Sequence, residues 1–113
     1  MDNMVIVSGK PTGVNSFVIN NEWNRVKIAE WRKSGIEYIG IYEVAPISAI
    51  TRWAEVSQVI DSPNTNDGKQ IIEIVGNINT FNPPKPYTVV QGRHYVDSQL
   101  FGIPRKNSAG SKP

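Results

Sequence analysis

The sequence predicts a β-rich α+β fold, with five or six short strands curled into a small barrel-like sheet and one or two short helices. Three observations lead there. Apolar and polar residues alternate over several short runs, the period of a half-buried strand. Turn-forming clusters of Gly, Pro, Asn, Asp and Ser recur every ~8–12 residues. No long helical pattern separates the strands, which argues against a purely parallel α/β sheet.

The elements follow in order. Val5 to Val7 is a short β-type run, closed by the turn cluster Ser8-Gly9-Lys10-Pro11. The next stretch, "SFVINNEWNRVKIAEW", allows a helix capped by Asn15 or Ser16. It also allows a strand over Asn24 to Ile28, where Val26 and Ile28 alternate with Arg25 and Lys27. A short helix followed by that strand satisfies both patterns. Arg32 to Gly35 reads as a turn. Ile36 to Val44 is a strand with Ile39 and Ile41 on one face and Tyr38, Gly40 and Tyr42 on the other. Pro46 ends it, because proline has no N–H for a ladder. Ala49 to Ile60 is the next strand, with Ile50, Arg52, Ala54 and Val56 expected on one face and Thr51, Trp53 and Glu55 on the other. Asp61 to Gly68 is a loop whose Asp67-Gly68 pair signals a hairpin. Gln70 to Val75 is a strand. Asn77 to Pro86, with three prolines, reads as a loop. Tyr87 to Val90 is a further strand, and a short strand or helix ends near Phe101.

The 113 residues suit one domain with its own core. That domain is expected over residues 1–101. Residues 102–113, "GIPRKNSAGSKP", are poor in hydrophobes and are expected to form a basic, disordered tail. There is no cysteine, so disulfides and thiolate metal sites are excluded. The lone histidine, His94, cannot build a histidine cluster, and no metal or other cofactor is expected. No apolar run approaches the ~20 residues of a membrane span. The opening "MDNMVIVSGK" has neither the basic nor the long apolar region of a secretion signal. A cytoplasmic location without a membrane partner is therefore expected. The net charge is +2. Arg105, Lys106 and Lys112 lie in the tail, leaving nine basic and ten acidic residues elsewhere. A body so nearly neutral argues against strong non-specific binding to DNA, while allowing a local basic groove.

The pattern Trp23…Arg25-Val-Lys27-Ile…"IEYIGIYE"…"PISAITRWAEV" resembles the PUA-like superfamily, which includes the ASCH, EVE, YTH and SRA groups. The later "QGRHYVD" is similar to an arginine–aromatic segment near the end of some such domains linked to bacterial and phage defence systems. The resemblance spans roughly Trp23 to Leu100. It implies a pseudo-barrel with a cleft that receives a nucleobase, modified or flipped, in an aromatic-lined pocket. The chain departs from that pattern after "AIT", where Arg52 and Trp53 stand in place of an aromatic or histidine, and in the weak charge of its body.

Several residue sets are candidates for a site, each with a structural reading beside the functional one. Trp23 and Trp53 are flat surfaces on which bases can stack at ~1–3 kcal/mol each, though tryptophans in a small β domain, Trp31 among them, as often fill the core or its rim. Tyr38 and Tyr42 flank Gly40, which leaves either a gap for a ligand ring or a bend in the strand. Ser48 and Thr51 offer hydroxyls toward a base edge, or satisfy their own turn. Arg25, Lys27, Arg52 and Arg93 are candidate phosphate contacts, or solvated surface charges. Arg52 stands apart, since alternation puts it on the core side, paired there or lining a cleft. His94 is more readily a hydrogen-bonded structural residue than a catalyst. Neither a Ser/His/Asp arrangement nor a glycine-rich phosphate loop is present.

Three functions compete. The first is a non-catalytic domain that reads a base in DNA or RNA, binding weakly or base-specifically. The second is a protein-binding module, for example a phage-encoded inhibitor of a host factor. The third is a small ASCH-like hydrolase acting on nucleosides or RNA, with Lys27, Thr51 and Glu30 or Glu55 as its set. The absence of a catalytic signature ranks the hydrolase last.

Overall fold

The computed structural model describes residues 2–26, 28, 35–61, 69–87 and 93–105, with only the backbone of Asn24, Arg25 and Arg93. β1 is Met4–Gly9. Pro11 opens the helix α1, Pro11–Asn20, four or five residues ahead of the expected Asn15 or Ser16. Its fixed φ suits the first helical position, where a missing N–H is no loss. Val14 and Phe17 are the buried residues of this helix, and Asn21 ends it in the left-handed conformation, donating its N–H to the Phe17 carbonyl at 2.9 Å. β2 starts at once and spans Glu22–Val26. Ile28 donates its N–H to the Gln70 side-chain carbonyl at 2.7 Å. The turn expected at Arg32 to Gly35 lies outside the described residues apart from Gly35.

β3 (Tyr38–Glu43), β4 (Ala49–Asp61), β5 (Gln70–Pro86) and β6 (Arg93–Val96) complete a sheet of order β2-β5-β4-β3-β1-β6. β1 and β3 pair parallel, and the other neighbours pair antiparallel. α1 and β2 lie in the crossover that a parallel pair requires. The result is a six-stranded mixed sheet curled into a half-barrel, as the α+β, β-rich expectation had it. Among the described residues no helix is long and apolar enough to cross a membrane.

β1 reads as an unbroken apolar run because it is buried on both faces. Val5 and Val7 join Phe17, Ile39, Ile41, Ala54, Val56 and Ile72 in a core on the helix side. Met4 and Ile6 join Tyr38, Ile50, Phe81 and Ile103 in a second core on the far side. Ile50 is a correction to simple alternation, which grouped it with Ala54 and Val56. The β3–β4 register slips between Ile41 and Tyr42, so that Thr51 is an extra residue and Ile50 turns to the far side opposite Tyr42.

β5 is a second correction. Asn77 to Pro86, expected as a loop, continues the strand. β2 pairs with β5 only as far as Glu73, so beyond Val75 the strand pairs with β4 alone. Prolines are tolerated there because their missing N–H groups can fall on an open edge. Two bulges absorb the irregularity, one at Gly76 (φ +77°) and a wider one over Phe81 to Pro84. The strand expected at Tyr87 to Val90 lies outside the described residues except for Tyr87, which is in no strand.

A 3₁₀ turn, Ser98–Phe101, follows β6. The first residues of the expected tail pack on the body. Ile103 is buried, the Tyr38 hydroxyl donates to the Pro104 carbonyl at 2.8 Å, and Arg105 pairs with Asp97 at 3.3 Å. Asn3, only 1% exposed, ties this segment down. Its amide N–H groups donate to Glu37 Oε1 at 2.9 Å and to Ser98 Oγ at 3.0 Å, and its carbonyl accepts the Ser98 N–H at 2.8 Å. Ser98 Oγ in turn donates to the Ile103 carbonyl at 2.8 Å.

Candidate functional site

The far side of the sheet gathers most of the aromatic side chains of the described residues. Strand parity puts Tyr38 and Tyr42 of β3 there, and the pairing of Gly40 with Trp53 adds the Trp53 indole. The β5 bulge turns Phe81 onto the same face, and the C-terminal turn adds Phe101. The rings form a continuous row. Tyr38 meets Trp53 edge-on at 5.7 Å, Trp53 meets Phe81 at 6.4 Å, and Phe81 meets Phe101 at 6.2 Å. Tyr87 then contacts both Phe101 and His94 at 6.0 Å. Tyr38 and Phe81 are buried, whereas Tyr42, Trp53, Tyr87, His94 and Phe101 keep part of their surface in solvent.

Three features set the electrostatics. Lys85 Nζ sits 5.6 Å from the Phe81 ring centre, a cation over an aromatic face. Burial first, and then the Asp2 carboxylate, push the Tyr87 phenol above its usual 10.0. His94 Nε2 is buried without a hydrogen-bond partner among the described residues, whereas a hydrogen-bonded structural histidine was expected.

The predicted site residues do not all meet. Tyr38, Tyr42 and Trp53 share the far side, but Trp23 is on the helix side. Its indole meets Phe17 edge-on at 5.9 Å and lies so close to Gly9 that a Cβ there would stand 2.7 Å from Trp23 Cη2. A groove of about 130 Å³ beside it is lined by Gly13, Ser16, Phe17, Glu22 and Trp23. Trp23 and Trp53 therefore cannot wall one cleft. Of the two readings of Gly40, the gap is filled, since a Cβ there would lie 2.7 Å from both Ile6 Cδ1 and Met4 Cε.

Thr51 is buried and its hydroxyl donates to Glu43 Oε1 at 2.6 Å. Arg52 Nη1 lies 3.9 Å from the same oxygen, so the partner of this core-side arginine is a carboxylate. Arg52 is opposite Ile41 and so on the other face of the sheet from Trp53. Ser48 is exposed at the end of the β3–β4 turn with φ +53°. Arg25 lies in β2, and Arg93 lies in β6 opposite Val7; their side chains, and Lys27, Glu30 and Trp31, are outside the described residues. Phe81, Lys85, Tyr87, Phe101 and Glu43 complete the surroundings. Sequence reasoning missed the first two because the prolines of "NTFNPPKP" read as a loop. Among the described residues no group of three His, Asp or Glu side chains converges as a metal would need.

No family model, curated protein or solved structure matches the chain. The half-barrel is compatible with a PUA-like pseudo-barrel, and that kinship remains a sequence resemblance.

Proposed function

We propose that this chain is a non-catalytic nucleic-acid-binding domain that stacks bases on the aromatic face around Trp53. The observation that carries the reading is the set of half-exposed rings grouped about Phe81 with the Lys85 ammonium above it. Aromatic rings offer every base a π-face, and a nearby cation offers its phosphate a partner. The resemblance to PUA-like domains supports the same ligand class, and it brings the modified base and the defence setting into the reading. Tyr42 and Trp53 remain stacking candidates, whereas Thr51 spends its proton on Glu43.

The test is fluorescence anisotropy with short labelled DNA and RNA probes carrying plain or modified bases, at low ionic strength. Binding that weakens with added salt is expected. No binding to any probe overturns the reading. A protein-binding module is the second reading, favoured by one observation. α1 turns Val18 and Ile19 outward, and Ile19 is 78% exposed, as apolar side chains at a partner surface would be.

A further inference from the structure

We infer that the aromatic face takes an unpaired dinucleotide step, not a single base held in a slot. This deepens the reading above and rests on it. A base gripped between two rings needs them nearly parallel and about 7 Å apart, twice the ~3.5 Å contact distance of stacked atoms. The ring pairs of this face are 5.7–6.4 Å apart and inclined by 32–86°. None of them leaves that space. The other possible slot, between Tyr38 and Tyr42, is occupied by Ile6, Met4 and Ile50 around Gly40. Bases must therefore lie on the outer faces of the rings.

The placement of charge sets the length of strand. Phe81 is the hub, with Trp53 on one side and Phe101 on the other. Lys85 stands over the hub and makes no ion pair among the described residues. Carboxylates mark both ends of the row. Glu55 is the cross-strand partner of Tyr38, and Asp2 is near enough to Tyr87 to perturb it. A phosphate is thus drawn to the centre, and Asp2 repels it at the Tyr87 end. One phosphate at Lys85, with its two flanking bases on Trp53 and Phe101, matches that pattern.

The experiment measures the affinity of the full chain for a deoxythymidine or uridine series (mononucleotide, dinucleotide, and oligomers up to about 8 nucleotides), and for a duplex carrying one mismatched base. The dinucleotide is expected to bind about fivefold or more tighter than the mononucleotide, since stacking a second base contributes ~1–3 kcal/mol. Longer strands should add little beyond statistical factors, and the duplex should bind more weakly than the dinucleotide. Lys85→Ala, at an exposed position, should lower the salt slope by about one. Equal affinity for mononucleotide and dinucleotide, an affinity that keeps climbing with length, or preference for the mismatched duplex overturns the inference while leaving base binding in place. A salt slope unchanged in Lys85→Ala also overturns it. No binding across the whole series removes the functional reading itself.

Discussion

Gly40 shows how one residue type can carry two opposite meanings. Between Tyr38 and Tyr42 it reads as an opening or as a structural bend, and in the fold it is the place where Ile6, Met4 and Ile50 close the far-side core. Gly40→Ala should therefore destabilise the protein by about 1–2 kcal/mol, because the added methyl overpacks two apolar side-chain ends. Urea unfolding followed by circular dichroism measures this, and an unchanged midpoint would contradict the packing described. Tyr87 carries a pH signature. Its folded-state pKa lies above the unfolded value of about 10. Its contribution is present in full below that value and is lost as pH rises through the folded pKa. Urea midpoints should thus fall on the alkaline side, and less steeply in Tyr87→Phe. Asp2→Asn should bring the phenol titration, read by ultraviolet absorbance, back toward its usual range. Arg52 was legible as unusual from strand parity alone. Its partner was not, because Glu43 reaches it across a strand pair whose register slips at Thr51.

At the scale of elements, the clearest dependence is that of the C-terminal segment on Asn3. One buried amide holds the entry to β3 through Glu37 and the 3₁₀ turn through Ser98. Asn3→Ala leaves the Ser98 N–H without its acceptor in a buried setting and should destabilise by about 1–3 kcal/mol. Hydrogen exchange should then show the Leu100 and Gly102 amides, bonded to the Asp97 and Gln99 carbonyls, losing protection more than the helix amides. Equal losses in both would place the clamp's effect on the whole fold instead. The faces of β3, and of β4 from Arg52 to Val56, were readable from alternation, since within an unbroken run each residue's face is a local property. The distal half of β5 was not. A proline is a strand breaker or a tolerated edge residue according to whether a neighbour needs its N–H, and that neighbour, β2, reaches only to its first residue, Glu22, opposite Glu73.

At the scale of the molecule, the two cores share one sheet and one strand. β1 sends Val5 and Val7 to the helix side and Met4 and Ile6 to the far side. Neither core can be lost without exposing the other face of the same strand, so unfolding should be a single cooperative event. Fluorescence denaturant curves of Trp23→Phe and Trp53→Phe, each lacking one of the three tryptophans, should show one transition each, coincident with their own circular dichroism curves. Two separate transitions would mean that the faces unfold independently.

By itself the sequence determined the β-rich class, the helix ahead of the second strand, the strand faces of Tyr38 to Glu43, and the absence of cysteine chemistry. These depend on residue type and on spacings within a few positions. The tertiary structure alone decided that Trp23 and Trp53 look away from each other, that Ile50 changes sides, and that a proline-rich arm delivers Phe81 and Lys85 to the aromatic face. Each of these turns on register between segments distant in the chain, where one extra residue in a strand reverses every face beyond it.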